Sequence, residues 1–291
     1  MRTETLRPAG KAFVEDGMPL HAAALAFFSL LTAAPLFAAV ALGARLLTGS
    51  DDAAQASLAD GARALFGDSR GDAVVALIEG TSSVGGGAWA FLVVLAMFLF
   101  AASRLFAALS ASMNRIFGVR CDSGRDLEGV ARKRAKAFSI LVGLAFLLLV
   151  SLVLSSLAAS LAGSLPLLRA PVLVEVTRLV VVGGVIVLAL APLYRHVPDA
   201  HVRWGDVWRG SAAVGVLLAI GERLMGLGLA QGPATEVYGP FAPIIFALLW
   251  AYYTALVVLL GGEYVNARAH ARGDPPAPEG HARRQEKPSE S

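Results

Sequence analysis

The chain has a single cysteine, Cys121. That scarcity removes an internal disulfide and any CxxC metal site from consideration. Lysine is nearly as rare, confined to Lys11, Lys133, Lys136 and Lys287. Charged residues make up 16% of the chain, where an ordinary soluble domain carries about 25%, so a water-exposed surface of the usual kind is excluded. No GxxxxGK[ST] loop occurs, which removes the phosphate cradle of an ATP-driven machine. What the chain has instead is apolar length. Hydrophobic residues reach 56% of the sequence and the mean hydropathy is +0.64.

Six apolar stretches, 22–47, 88–109, 137–162, 172–193, 211–230 and 241–262, each meet the length of about 20 helical residues that a bilayer's hydrocarbon demands. Within lipid every backbone N–H and C=O must find its partner inside its own segment, so such runs must be helices. The sequence therefore predicts an all-α fold: a bundle of six transmembrane helices spanning 22–272.

Basic residues near short loops stay on the cytoplasmic side, and here they are lopsided. Residues 1–21 hold three, 110–136 seven, 194–210 three and the tail from Glu263 five, whereas the opposite loops hold only Arg63, Arg70 and Arg169. Both termini are expected in the cytoplasm, which an even number of crossings also requires. The net charge of +3 is thus a topology signal, with no nucleic acid implied. The run 22–47 exceeds the apolar core of about 7–15 residues in a cleaved leader, so it is expected to remain as a signal anchor.

Before the first run, Leu6, Ala9, Phe13, Gly17 and Leu20 recur at helical spacing, with Arg7, Lys11, Glu15 and Asp16 on the other side. This predicts an amphipathic cytoplasmic helix over 1–21, lying on the membrane surface or packed on the bundle. The outer segment 48–87 contains Ala54, Leu58, Ala62 and Leu65, then Val74, Val75, Leu77 and Ile78, and reads as a helical hairpin turning at Asp68–Gly71. Its many carboxylates serve solvation. The tail 273–291, rich in Pro, Gly, Glu and Arg without apolar periodicity, is expected to be disordered.

Ionisable groups inside a membrane span are costly and face an interior or an aqueous path. Helical rise brings Glu222 and Arg178 to similar depths, and Arg104 toward Glu263, Asn114 and Asn266. Two polar clusters are expected: an outer one of Glu222 with Arg178, and an inner one of Arg104 with Glu263 and Asn114. The competing reading is that these are ion pairs that lock the bundle. Arg45 and Glu175 lie near span ends, where long side chains snorkel. Pro35, after Ser29 and Thr32, is expected to kink the first span or free carbonyls for those hydroxyls. Gly183–Gly184, Gly221 with Gly228, and Gly261–Gly262 permit close helix approach.

In the segment 194–210, His196, Asp199 and His201 tempt a metal reading, but the histidines stand five apart across a proline with no third ligand nearby. No metal site is expected. Asp206 is placed to cap the following helix.

AAALAFFSLLTAAPLF (22–37), SRLFAALSASMNRIFGV (103–119), LYRHVPD with WGDVWRG (193–210) and YGPFAPIIFALLWAYYTALVVLLGGEYVNA (238–267) together resemble the YihY/virulence factor BrkB family of bacterial inner-membrane proteins. Pro35, Asn114, Arg115, Tyr194, Pro198, Asp199, Tyr238, Gly239, Trp250, Tyr252 and Glu263 carry the likeness. The resemblance implies six helices in the inner membrane with cytoplasmic termini, and supplies no settled activity. Members have been called ribonuclease BN. Hydrolysis of RNA wants clustered metal-binding carboxylates or paired acid and base histidines beside a basic groove, whereas Glu4, Asp122, Asp126, Glu128 and Asp206 are scattered. The sequence reads as a non-enzyme without cofactor. Its partners are the lipid bilayer and a membrane or envelope protein. Two functions are expected: movement or hand-over of a lipid-like or small charged solute, or a non-transporting scaffold for envelope integrity.

Overall fold

A computed structural model of the chain describes residues 3–50, 55–56, 58–60, 75, 87–121, 171–231, 237–278 and 282–284. The apolar run 137–162 and most of the hairpin expected over 48–87 lie outside the described residues.

Helix α1 (Thr3–Glu15) is followed by Gly17 in the left-handed region at φ 68°, where the chain turns directly into α2 (Met18–Thr48). A second left-handed glycine, Gly49, closes α2 by donating its amide to the Arg45 carbonyl at 2.9 Å. Helix α3 (Ala88–Ile116) leads to strand β1 (Val119–Cys121). Then follow α4 (Pro171–His196), β2 (Ala200–His201), α5 (Trp204–Gln231), a 3-10 turn (Gly239–Phe241) and α6 (Ala242–Ala271). Two short strands, β3 (Ala277–Pro278) and β4 (Ala282–Arg284), complete the described chain.

The protein is thus mostly helical, as its apolar runs require. Among the described residues three helices are long and apolar enough to cross a membrane: Met18–Thr48, Ala88–Ile116 and Ile244–Ala271. Helix α2 runs unbroken through Pro35, whose missing N–H leaves the Leu31 carbonyl without its helical donor, and the Thr32 hydroxyl donates to the Phe28 carbonyl at 2.6 Å, three residues before it.

Helix α6 is the hub, packing against α1, α2, α3 and α5. The amphipathic N-terminal segment is therefore seated on the bundle: Ala9 is buried, while Lys11 and Glu15 pair at 3.4 Å on the outside. The core collects the starts of α2 and α5 and the ends of α3, α4 and α6, with Met18, Met113, Ile116, Tyr194, Val207, Val214, Leu259 and Val265 fully buried. These five helix ends share one end of the bundle. Toward the other end of α6, Ile244 and Leu249 are exposed, as is Phe241 in the turn before it.

Close approach at this core depends on missing side chains. A Cβ on Gly261 would strike Val214 and the Tyr194 hydroxyl, one on Gly210 would strike Val265, and one on Gly221 would enter the Tyr253 ring. Gly183 and Gly184, expected from their spacing to permit such contacts, have nothing within 4 Å of a Cβ.

The tail departs from the disorder expected of it. From Ala277, β3 pairs antiparallel with β2, and β4 pairs antiparallel with β1 in the register Val119↔Arg284. Composition carries no signal for such short pairings, because their stability comes from backbone partners supplied by β1 and β2 elsewhere in the fold.

Candidate functional site

The five converging helix ends carry a layer of polar contacts between residues far apart in sequence. At its centre Asp206, fully buried in the first turn of α5, accepts from Arg268 Nε at 3.1 Å and is also paired with Arg272 Nη2. Arg268 and Arg272 stand one turn apart at the end of α6. Asp206 was expected to cap α5, but the helix begins at Trp204, so its carboxylate sits inside the first turn and serves α6. A carboxylate there also complements the positive end of the α5 dipole.

Beside it Asn114 closes a two-way clasp with Asp199. Its Nδ2 donates to Asp199 Oδ2 at 2.7 Å, and its Oδ1 accepts the Asp199 amide at 2.8 Å. Asn266 Nδ2 donates to the Ile116 carbonyl at 2.7 Å, tying α6 to the end of α3. The buried Tyr194 hydroxyl donates to the Val258 carbonyl at 2.7 Å, and His21 Nδ1 lies 3.0 Å from Ser112 Oγ. Arg203 adds an exposed pair with Asp274 at 3.2 Å.

This layer gathers three of the expected site residues, Asn114, Asn266 and the buried Glu263. It does not gather Arg104. Among the described residues no ion pair joins Arg104 to Glu263, and Asn114 is committed to Asp199 instead. The reason is directional, since helical side chains lean toward the N-terminus of their helix. Arg104 accordingly folds back along α3 to place its guanidinium 5.3 Å from the centroid of the Phe100 ring, away from the polar layer. Both residues are exposed on the flank of the bundle.

Glu222 is half-buried in α5. The side chain of Arg178 lies outside the described residues, and with it the expected Glu222–Arg178 pair. Among the described residues no group of three or more His, Cys, Asp and Glu is assembled that would hold a metal ion. The chemistry of the layer is that of a clasp: Asp206, Asp199, Asn114 and Asn266 each bind a partner on another element.

Missing from the expectation were Asp206 as an ion-pair centre, and the half-exposed Trp204 and Trp208, whose rings stack at 6.1 Å on the first two turns of α5. The i, i+4 spacing of Arg268 with Arg272, and of Trp204 with Trp208, was the available signal.

The family model described as virulence factor BrkB matches residues 9–286. A UPF0761 membrane protein of Tolumonas auensis is 31% identical over 183 residues, covering 58% of this chain and 55% of that relative. Similar proteins of the same name in Delftia acidovorans and Chromobacterium violaceum are each 38% identical over shorter stretches, covering 25% and 32% of this chain and 18% and 23% of theirs. The alignments thus reach from about a fifth to about half of these relatives' lengths. No solved structure matches.

Proposed function

Because this chain belongs to the virulence factor BrkB family, we propose that it is a six-helix protein of the bacterial inner membrane that moves or hands on an amphipathic anion, without catalysing a reaction. The polar layer faces the cytoplasm in this reading, as do both termini. Support for six crossings comes from chain direction. Helices α3 and α4 both finish in the polar layer, so Pro171, where α4 begins, stands at the opposite end of the bundle from Cys121. The apolar run 137–162 is long enough for that passage. Arg203, Arg268 and Arg272 belong to the arginine-dense segments and stand at the layer, which supports a cytoplasmic position for it.

The observation that carries the solute reading is Arg104. A guanidinium at the centre of a membrane helix costs about 2.5–3.5 kcal/mol on insertion scales. This one turns toward the bilayer interior and has no carboxylate within salt-bridge reach among the described residues. Beside it is the exposed Phe100, and the exposed Met97 follows two helical turns back on the same face. A cation on an oily flank suits a ligand with an anionic head and an apolar body.

The test is complementation of a deletion strain with wild type, Arg104→Gln or Arg104→Lys, reading membrane lipids by mass spectrometry and protein level by immunoblot. Arg104→Gln is expected to accumulate normally yet leave the lipid composition of the deletion uncorrected, with Arg104→Lys intermediate. Full correction by Arg104→Gln, or a deletion that leaves the lipids unchanged, removes the solute reading. A parallel loss of function and protein level favours the scaffold, for which the interlocked polar layer is the supporting feature.

A further inference from the structure

At the turn between α4 and α5 the surface combines aromatic rings with cations. Trp204 and Trp208 stack with an interplanar angle of 28°, and both remain more than two-fifths exposed. Arg195 places its guanidinium 5.3 Å from the centroid of the Trp204 ring, and His196 meets the same ring edge-on. Arg209, next to Trp208 in the chain, is exposed, and its Nη1 donates to the Gly205 carbonyl at 3.3 Å.

The carboxylates nearest in sequence are both buried. Asp199 is buried against Asn114, and Asp206 is buried against Arg268 and Arg272. Among the described residues neither Arg195 nor Arg209 pairs with a carboxylate. Two cations therefore flank an amphipathic aromatic platform where two long helices turn back.

We propose that Trp204, Trp208, Arg195 and Arg209 form a docking site for the phosphate head of an anionic phospholipid in the leaflet next to the polar layer. Indole rings favour the depth between acyl chains and headgroups, with the N–H end wet and the ring face apolar. Guanidinium groups at that depth recognise phosphate by charge-assisted hydrogen bonds. A zwitterionic lipid offers the same phosphate with a compensating ammonium, so the charge of the patch selects the anionic headgroup. The inference rests on reading α4 and α5 as membrane-crossing helices.

The test uses the full chain reconstituted into vesicles, with Trp89→Phe and Trp250→Phe removing the other two of the four tryptophans. Fluorescence quenching is compared for phosphatidylcholine and phosphatidylglycerol, each brominated near the top of the acyl chain. The brominated phosphatidylglycerol is expected to quench at about fivefold lower mole fraction, the preference that attraction of one arginine to an acidic lipid surface supports. Arg195→Gln with Arg209→Gln should abolish that difference while leaving quenching by phosphatidylcholine intact. Equal quenching by both lipids in the starting protein overturns the headgroup site but leaves the crossing of α4 and α5 standing. Absence of quenching by either lipid overturns both, and would mean that the platform faces water or another protein.

Discussion

Replacing Gly261 with alanine is the sharpest test of how the packed end is held. In a water-exposed helix the change would stabilise by about 1 kcal/mol, because glycine is the poorer helix former. At Gly261 the new methyl would instead collide with Val214 and the Tyr194 hydroxyl, and would stand 3.1 Å from that ring's Cζ. Forcing a methyl into a packed core costs about 1–3 kcal/mol. Tyr194 is fully buried, and its hydroxyl, which the methyl would displace, holds the Val258 carbonyl at 2.7 Å. Losing that bond between buried groups adds about 1–3 kcal/mol. After subtracting the helix gain, Gly261→Ala should destabilise by about 1–5 kcal/mol, centred on about 3 kcal/mol. The matched control is Gly184→Ala in α4, where nothing lies within 4 Å of the added carbon. Thermal unfolding in one detergent should separate the two variants by roughly 5–15 °C, at about 2–4 °C per kcal/mol for a chain of this size. Equal melting temperatures would refute the claim that α4, α5 and α6 meet by backbone proximity at this point.

Two further substitutions probe the polar layer. Asp206→Asn should lower stability by about 1–3 kcal/mol, below the full cost of breaking a buried pair, since the Arg268 and Arg272 side chains are 29% and 33% exposed and can rehydrate. A melting temperature unchanged within error would show that the carboxylate does not hold α5 to α6. Asn114→Asp should be worse than Asn114→Ala, because it sets a second carboxylate against Asp199 in place of the donor now 2.7 Å away. If Asp199→Asn fails to restore Asn114→Asp in a double-mutant cycle, repulsion is not the cause.

The long helices were legible because lipid leaves an apolar run no other choice. Periodicity likewise marked α1, which Leu6, Ala9 and Phe13 outline. Polar partnerships were harder to read. Depth along a helix is computable from sequence, but azimuth and lean are not, so Arg104, at a height compatible with Glu263, turns to Phe100 instead. Asp206 and its arginines are separated by 62 and 66 residues, and Asn114 and Asp199 by 85. Only the packed helix ends bring them together. The strands β3 and β4 were invisible for a different reason: each is too short for a pattern of its own and exists through its partner.

Those strands bear on how any fusion to this protein is built. β4 lies along β1, and β3 along β2, so the tail stitches down the backbones that follow α3 and α4. A reporter joined directly after Ala271 would delete both strands and uncover two backbone edges, each free to recruit a neighbouring chain. Its readout would then describe an unlaced molecule. A junction placed beyond Arg284 keeps the stitching in place.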